Sequence, residues 1–249
     1  MSSAGLGAHN LIPGLAIGAG ICLLFHEVRA RRLMSDKQLA HLCAIMVPVG
    51  LLGARFGGWL ESVAGDDPAS SWSSAGAVSW AGVLLSWIAS ALFLRSRRIP
   101  VLEFFDALAP CLLLAYAIGR VACHVSGDGC YGVPTDLPWG CTYPDGLRPT
   151  LEVVHPTPLY ESLTAACILG FVIWPMRSRA RAPGEVFAVY LVLQCSSRFA
   201  VEFLRRNPRH LGLSAAQWFS LAAIATGLLI LGRSRSQTRS RIAGAPAHQ

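Results

Sequence analysis

Long apolar runs alternate with short basic or glycine-rich segments along this chain, and the alternation predicts a membrane protein built of helices. A helix needs about 20 mostly apolar residues to cross the hydrocarbon core of a bilayer. Seven runs approach that length, namely Leu11–Val28, Leu39–Val63, Gly76–Leu94, Phe104–Val125, Pro158–Met176, Gly184–Phe203 and Ser214–Gly232. The predicted fold class is therefore all-α, a polytopic membrane bundle of about seven transmembrane helices.

The composition supports this class and suggests the domain organisation. Of the 249 residues, 53% are hydrophobic and only 14% are charged, whereas soluble domains carry about 25% charged residues. The length suits one helical bundle without a large soluble domain. We predict a single transmembrane domain over residues 1–232 and a flexible, basic cytoplasmic tail over residues 233–249.

Arginines dominate the charge and orient the predicted helices. They cluster after the first, third, fifth and seventh runs, while the acidic residues concentrate in the alternate loops. Because cytoplasmic loops are enriched in Lys and Arg, we expect the N-terminus outside and the C-terminus in the cytoplasm. The net charge of +7 does not indicate a nucleic-acid partner, since the basic residues flank apolar runs and do not form one basic face.

The connection from about residue 124 to residue 156 is a long polar segment between two runs. It contains ten Gly and Pro residues, too many for a helix. Its aromatic residues Tyr131, Trp139 and Tyr143 argue against disorder and for a position at the membrane interface. We predict that this loop caps the outer face of the bundle.

Three of the eight cysteines, Cys123, Cys130 and Cys141, lie in or beside this loop. Two of them could form a disulfide in an oxidising compartment, and the sequence does not say which two. Zinc is the competing interpretation because His124 is nearby, but the spacing matches no standard zinc pattern. We therefore expect no metal.

Charged residues within the apolar runs carry the functional signal. Arg55, Arg120, Arg198 and Glu202 lie at or near the interiors of predicted helices, where a charge costs about 2.5–3.5 kcal/mol on insertion scales. Internal pairing is one explanation, since Arg198 and Glu202 are one helical turn apart. The other is a shared polar cavity with an anionic occupant. Guanidinium groups bind phosphate oxygens through paired hydrogen bonds, and phospholipid phosphates are plentiful at a bilayer.

Three segments together resemble the prolipoprotein diacylglyceryl transferase family. Residues 119–132, continuing into residues 134–139, are similar to the family's Gly-Arg-x-Gly-Asn-x-x-Asn-Gly-Glu signature and the loop after it. Residues 155–161 resemble its His-Pro-x-Gln-Leu-Tyr-Glu, and residues 198–205 resemble its Arg-Phe-x-x-Glu-Phe-x-Arg. The order of the segments and their placement on the fourth to sixth runs also agree with the family.

The resemblance implies an enzyme of the bacterial inner membrane that uses no cofactor. Such enzymes move the diacylglyceryl group of phosphatidylglycerol onto the lipobox cysteine of a preprolipoprotein, which they meet through its signal peptide. A thioether forms and glycerol phosphate leaves. By resemblance, Arg120 and Arg198 match arginines that act on the lipid headgroup. The further positions that we expect to bind substrate are Arg55, Asp128, Gly132, Glu161, Glu202 and Arg205.

The chain departs from the family pattern at several positions. Trp80 stands where the family has a histidine, Gln194 where it has a tyrosine, and Cys123 where it has an asparagine. The first signature is also one residue longer. If the family histidine is the base, another group must replace it here. We expect His124 or His155 to take this catalytic role, because a histidine at the outer interface titrates in a suitable range.

Two other functions are compatible with the same residues. A divergent family member would act on another acceptor, and a non-catalytic membrane protein would bind anionic phospholipid without chemistry. An anion transporter is a third possibility, which the outer cap and the lack of clear internal repeats disfavour.

Overall fold

The computed structural model describes residues 3–64, 79–177, 182–209 and 211–243, and most of these residues are helical. The helices are α1 Ser3–Ala30, α2 Asp36–Ala64, α3 Ser79–Ser96, α4 Val101–Ser126, α5 Thr157–Cys167, α6 Trp174–Arg177, α7 Glu185–Glu202 and α8 Ala215–Ala243. A π-helical segment, Ile168–Ile173, joins α5 to α6 without a break. The predicted all-α polytopic class is confirmed.

Five helices in the described part of the chain are long and apolar enough to cross a membrane. They contain the spans Leu11–Ala30, Asp36–Leu60, Val101–Ser126, Thr157–Met176 and Ala215–Ser234. The apolar part of α3 is shorter, and the 18-residue α7 carries Glu185, Arg198 and Glu202. The protein is therefore a multi-pass membrane protein, and α7, whose charged residues set it apart from the five long apolar spans, holds part of the polar site described below.

The helix ends agree with the predicted runs to within a few residues except at the two ends of the chain. Helix α1 begins at Ser3, eight residues before the predicted start at Leu11. Helix α8 continues to Ala243, although we predicted a flexible tail from residue 233. Residues 233–243 contain no Gly or Pro that would end a helix. Residues 244–249, and residues 76–78 of the third run, lie outside the described part. The division into one domain and a flexible tail stays a prediction.

The loop between α4 and α5 contains a small antiparallel sheet that the sequence did not predict. Strand β1 Cys141–Tyr143 pairs with β2 Thr150–Val154, and Pro134 forms an isolated bridge with Val154. The same loop is joined to the segment after α7, because the backbone N–H of Val133 donates to the carbonyl of Leu204 at 2.8 Å. The loop is thus ordered and fixed to the end of α7.

The chain divides into two compact units, one formed by Met1–Leu24 with Phe105–Gln249 and the other by Phe25–Phe104. In the second unit α2 packs closely on α3. A Cβ atom added to Gly82 would lie 3.0 Å from the Cβ of Ala54. The small residues at this contact therefore let the backbones of α2 and α3 lie close together. The hydroxyl of Ser86 also donates to the carbonyl of Met46 at 2.9 Å.

In the first unit, polar contacts between helices fix α4, α5 and α7 to one another. The hydroxyl of Ser162 on α5 donates to the carbonyl of Ala117 on α4 at 2.8 Å. Ser197 on α7 donates to the hydroxyl of Thr164 on α5 at 2.9 Å. These three helices carry most of the charged residues of the candidate site, so the contacts set its geometry.

Candidate active site

The carboxylate of Glu161, on α5, lies at the centre of the candidate site. Its side chain is 1% exposed and contacts three arginines. Oε2 lies 3.2 Å from Nε of Arg120 and 2.8 Å from Nη2 of Arg205, while Oε1 lies 3.3 Å from Nε of Arg198. The hydroxyl of Tyr116 donates to Oε1 at 2.9 Å. Residues that are distant in sequence therefore converge on one buried anion.

Helix α4 presents Tyr116 and Arg120 together, because residues four positions apart lie on the same helix face. The guanidinium carbon of Arg120 is 4.8 Å from the centre of the Tyr116 ring, which is the geometry of a cation–π contact. Tyr116 thus holds Arg120 through its ring and Glu161 through its hydroxyl. Tyr116 was not among the residues predicted from the sequence, although it precedes Arg120 by four residues.

Helix α7 presents a second carboxylate, that of Glu202. Its Oε2 accepts a hydrogen bond from Nη1 of Arg198. Its Oε1 accepts hydrogen bonds from the amide of Asn207 at 2.6 Å and from the hydroxyl of Ser214 at 2.7 Å. The internal pairing of Arg198 with Glu202, one of the two explanations that the sequence left open, is present, and the same guanidinium also reaches Glu161. Arg198 therefore bridges two carboxylates.

Ser214 also begins helix α8, through a capping box with Gln217. The backbone N–H of Ser214 donates to the side-chain oxygen of Gln217 at 2.9 Å, and the N–H of Gln217 donates to the hydroxyl of Ser214 at 3.2 Å. This reciprocal arrangement is a common helix start and can be read from a serine followed three residues later by a glutamine. The capping box fixes the hydroxyl that contacts Glu202.

The arginine cluster, defined as Arg120, Arg198 and Arg205 with Glu161 and Glu202, has an excess of positive charge. Three guanidinium groups face two carboxylates, which leaves one positive charge without a partner inside the cluster. The side chains of Arg120 and Arg198 are 11% and 17% exposed, so they form its accessible side. A cluster with this charge and this accessible side is suited to a phosphate.

Two buried polar atoms near this part of the fold have no hydrogen-bond partner among the described residues. They are Nε of Arg205 and Oε1 of Gln194. Gln194 lies on α7, one turn before Arg198, and is the residue that stands in place of the family tyrosine. Because buried polar groups are almost always paired, these atoms add hydrogen-bonding capacity that water or a bound molecule would use.

The two candidate bases each contact a tyrosine. Nδ1 of His124 lies 2.8 Å from the hydroxyl of Tyr143, and Nδ1 of His155 lies 3.3 Å from that of Tyr160. Burial raises the pKa of the Tyr143 phenol, so this group stays protonated at neutral pH. Within the described ranges no hydrogen bond joins either imidazole directly to the arginine cluster.

Cys123, Asp128 and Cys130 lie beside Arg120. Their potential ligand atoms are all within 4.8 Å of one another, and Asp128 accepts a hydrogen bond from the backbone N–H of Cys130 at 3.0 Å. Nη1 of Arg120 lies 3.9 Å from the sulfur of Cys123 and 3.7 Å from that of Cys130. The guanidinium charge disfavours a metal ion here. A hydrogen bond from the Cys123 thiol, together with Arg120, lowers the pKa of the Cys130 thiol to about 7.

The remaining predicted site residues lie at other places. Gly132 has no side chain to offer a ligand, and a Cβ added there would lie 2.5 Å from the carbonyl oxygen of Leu204. Arg55 is half-buried on α2, in the other compact unit. Trp80 belongs to α3, and its side chain is outside the described part of the structure. The contributions of Gly132 and Arg55 to substrate binding stay predictions, and no role was predicted for Trp80.

Comparison with known proteins identifies the family. A sequence model described as prolipoprotein diacylglyceryl transferase matches residues 7–233. A phosphatidylglycerol–prolipoprotein diacylglyceryl transferase of Clostridium tetani is 30% identical over 91% of this chain and 92% of its own length. The enzyme of that name from Thermosynechococcus vestitus is 32% identical over 88% of this chain and 85% of its own length.

Other relatives of the same name match over a shorter region. The protein from Chromohalobacter salexigens is 35% identical over 61% of this chain, and the match spans about half of that relative, 55% of its length. Because one family model covers nearly the whole sequence and long relatives share at least 30% identity, the chain belongs to the prolipoprotein diacylglyceryl transferase family.

Proposed function

We propose that this protein transfers the diacylglyceryl group of phosphatidylglycerol to the lipobox cysteine thiol of a preprolipoprotein. The bond between a glycerol carbon and a phosphate oxygen breaks, and a thioether bond forms between that carbon and the cysteine sulfur. Glycerol phosphate leaves, and a base takes the thiol proton. Membership of the family supports this reaction, as do the names of the relatives.

The observation that carries the proposal is the convergence of Arg120 and Arg198 on Glu161. The phosphodiester of phosphatidylglycerol carries one negative charge, and the arginine cluster has one positive charge in excess. Binding of the headgroup would therefore neutralise the site. Arg120 and Arg198 are the more exposed arginines of the cluster, so their guanidinium groups would contact the phosphate oxygens.

The same contacts would lower the barrier of the reaction. As the carbon–oxygen bond breaks, negative charge accumulates on the phosphate that leaves. Guanidinium groups already held in place stabilise this developing charge more strongly than they stabilise the bound lipid, and such a difference accelerates a reaction. The nucleophile is supplied by the acceptor protein, so no cysteine of this chain has to attack the lipid.

We assign removal of the thiol proton to His124, with His155 as the second candidate. His124 follows Arg120 by four residues on α4, so both side chains lie on the same helix face. With the proton on Nδ1, the imidazole donates to the oxygen of Tyr143, and Nε2 is then the atom that accepts a proton.

The location that suits this reaction is the bacterial inner membrane, with the loop between α4 and α5 on the outer side. Basic residues follow α1, α3, α6 and the apolar part of α8. Placing these segments in the cytoplasm puts the N-terminus outside and the C-terminus inside. The lipid headgroup and the signal peptide of the acceptor would then meet the arginine cluster from the outer leaflet.

Complementation of a bacterial strain depleted of its own transferase tests the proposal. The wild-type chain should restore growth and a diacylglyceryl mass increment on a lipobox peptide, measured by mass spectrometry, whereas Arg120→Ala should not. Arg206→Ala is the matched control, because Arg206 forms an exposed ion pair with Glu152 at 2.6 Å. Absence of the increment with the wild-type chain, under conditions in which the protein is folded and in the membrane, would contradict the proposal.

A further inference from the structure

Cys123 and Cys130 form a pair of thiols that neither the fold nor the proposed reaction requires. Cys123 lies in the last turns of α4, and Cys130 follows the glycine-rich turn after this helix. Their sulfur atoms lie within 4.8 Å of each other. We infer that these two thiols are a modification site at which a reversible disulfide forms beside Arg120. This thiol chemistry is independent of the proposed transfer reaction.

The backbone between the two cysteines brings them together. Gly127 and Gly129 have φ values of +55° and +88°, which glycine adopts without steric cost and which reverse the chain direction here. The carboxylate of Asp128 accepts from the N–H of Cys130 at 3.0 Å, and the carbonyl of Cys130 accepts a hydrogen bond from the hydroxyl of Thr157. Cys130 is thus held facing the end of α4 by contacts that do not involve its sulfur.

The distance between the two sulfur atoms has to shorten only a little for a disulfide to form. The bond joins sulfur atoms about 2.05 Å apart, so the two sulfurs must approach each other by less than about 3 Å. Rotation about the Cα–Cβ bonds of the two cysteines is the movement that would bring the sulfurs together. Both cysteines are half-buried and neither is fully enclosed, so a small oxidant can reach them.

The chemistry proceeds by thiol–disulfide exchange with a disulfide-bonded oxidant, such as oxidised glutathione. The Cys130 thiolate attacks one sulfur of the oxidant and releases the other as a thiol, which gives a mixed disulfide. The Cys123 sulfur loses its proton and attacks the Cys130 sulfur, which displaces the second thiol. Two S–H bonds of the protein are replaced by one S–S bond, and the oxidant receives two electrons and two protons.

Two alternative fates of these thiols are less consistent with the contacts. A divalent metal would have to bind next to the guanidinium of Arg120, which lies 3.9 and 3.7 Å from the two sulfurs. A disulfide to the third loop cysteine would need Cys141, whose sulfur instead lies in β1, 3.6 Å from the carbonyl of Trp139. Cys141 therefore serves as the control thiol.

Mass spectrometry of the purified full-length protein tests the inference. The protein is incubated with oxidised glutathione or with dithiothreitol, alkylated with N-ethylmaleimide under denaturing conditions, and digested with trypsin and chymotrypsin. Cleavage after Arg120 and Tyr131 releases a peptide that contains both cysteines and excludes Cys141. We expect this peptide to carry an internal disulfide after oxidation and two alkyl groups after reduction, in the wild type and in Cys141→Ser alike.

Single variants confirm the pairing. In Cys123→Ser and in Cys130→Ser the remaining thiol should be alkylated or carry glutathione after oxidation, without an internal bond. The inference is overturned if the wild-type peptide is doubly alkylated after oxidation, or if each thiol carries its own glutathione. It is also overturned if the bond joins Cys141, or if the purified protein retains equimolar zinc that protects both thiols from alkylation.

Discussion

Arg120 on α4 and Arg198 on α7 contact opposite oxygens of one buried carboxylate, with Nε–Oε distances of 3.2 and 3.3 Å. That carboxylate belongs to Glu161 on α5, so three helices meet at a single anion. Two arginines that faced each other without it would repel, and their burial would be costly. Glu161 is therefore the residue that allows the two guanidinium groups to lie close enough to share a phosphate.

Replacing this carboxylate should destabilise the fold as well as the site. Glu161→Gln keeps the shape of the side chain but leaves three guanidinium groups with Glu202 as the remaining acid of the cluster. Loss of one partner from a buried ion pair costs about 3–5 kcal/mol. We expect a loss of this order in the free energy of unfolding, measured by denaturant titration in detergent micelles.

Glu152→Gln is the matched control for that substitution. Glu152 forms an ion pair with Arg206 at 2.6 Å, but the two side chains are 57% and 51% exposed. Exposed pairs contribute about 0–1 kcal/mol, so this variant should unfold almost as the wild type does. Equal losses in the two variants would show that Glu161 is not the organising charge of the cluster.

Arg198→Lys should abolish most of the transfer activity while keeping the charge. The guanidinium of Arg198 reaches Glu161 through Nε and Glu202 through Nη1, and an ammonium group cannot reproduce this fork. Loss of one well-placed donor to a developing anion typically costs about 10²–10³-fold in rate, so we expect kcat/KM to fall by about 100-fold or more. Arg206→Lys, in the exposed pair, should keep its rate. A near-normal rate in Arg198→Lys would contradict phosphate binding by the fork.

Asp106 on α4 should matter for stability, because it fixes the start of α7. The residue is 4% exposed, and its carboxylate accepts from the N–H of Gly184 at 2.7 Å and from that of Phe187 at 2.8 Å. Hydrogen bonds to charged groups contribute about 1.5–3 kcal/mol each, so Asp106→Ala should reduce the free energy of unfolding by at least about 2 kcal/mol. Asp136→Asn, on the exposed loop, should have little effect in the same titration.

A comparison of two glycine variants tests the attachment of the loop to α7. A Cβ at Gly132 would lie 2.5 Å from the carbonyl of Leu204 and 2.9 Å from the Cβ of His155, whereas a Cβ at Gly119 meets no atom of the described structure within 4 Å. Gly132→Ala should therefore lower the thermal midpoint. Gly119→Ala should keep or raise it, because alanine is favoured over glycine in a helix by about 0.5–1 kcal/mol. The reverse order would show that the loop is not packed at Gly132.

The sequence predicted the helices well because length and apolarity decide them. Runs bounded by arginines or glycines gave the ends of α4 and α7 to within a few residues. It also identified Arg120, Arg198 and Glu202 as functional candidates, because charges in apolar runs are costly. These inferences depend on local composition, which a single chain displays directly.

Contacts between distant segments were not predictable in the same way. The position of Glu161 as the shared partner of three arginines depends on how α5 packs against α4 and α7, and no spacing in the sequence encodes that distance. The two strands of the loop were not predicted, because glycines and prolines surround them. The proximity of Cys123 to Cys130 was likewise not encoded in their spacing, because it depends on the turn at Gly127 and Gly129 that places both sulfurs beside Arg120.

The central claim is that the arginine cluster holds the phosphate of phosphatidylglycerol while a cysteine thiol attacks the glycerol carbon. The most direct test uses the purified protein in vesicles that contain phosphatidylglycerol, with a synthetic lipobox peptide as acceptor. We expect a diacylglyceryl adduct on the cysteine and an equal amount of released glycerol phosphate, neither of which forms with Arg120→Gln or when phosphatidylcholine is the sole lipid. A cysteine that stays unmodified with the folded wild-type protein, or an adduct that forms equally well with Arg120→Gln, would contradict the claim.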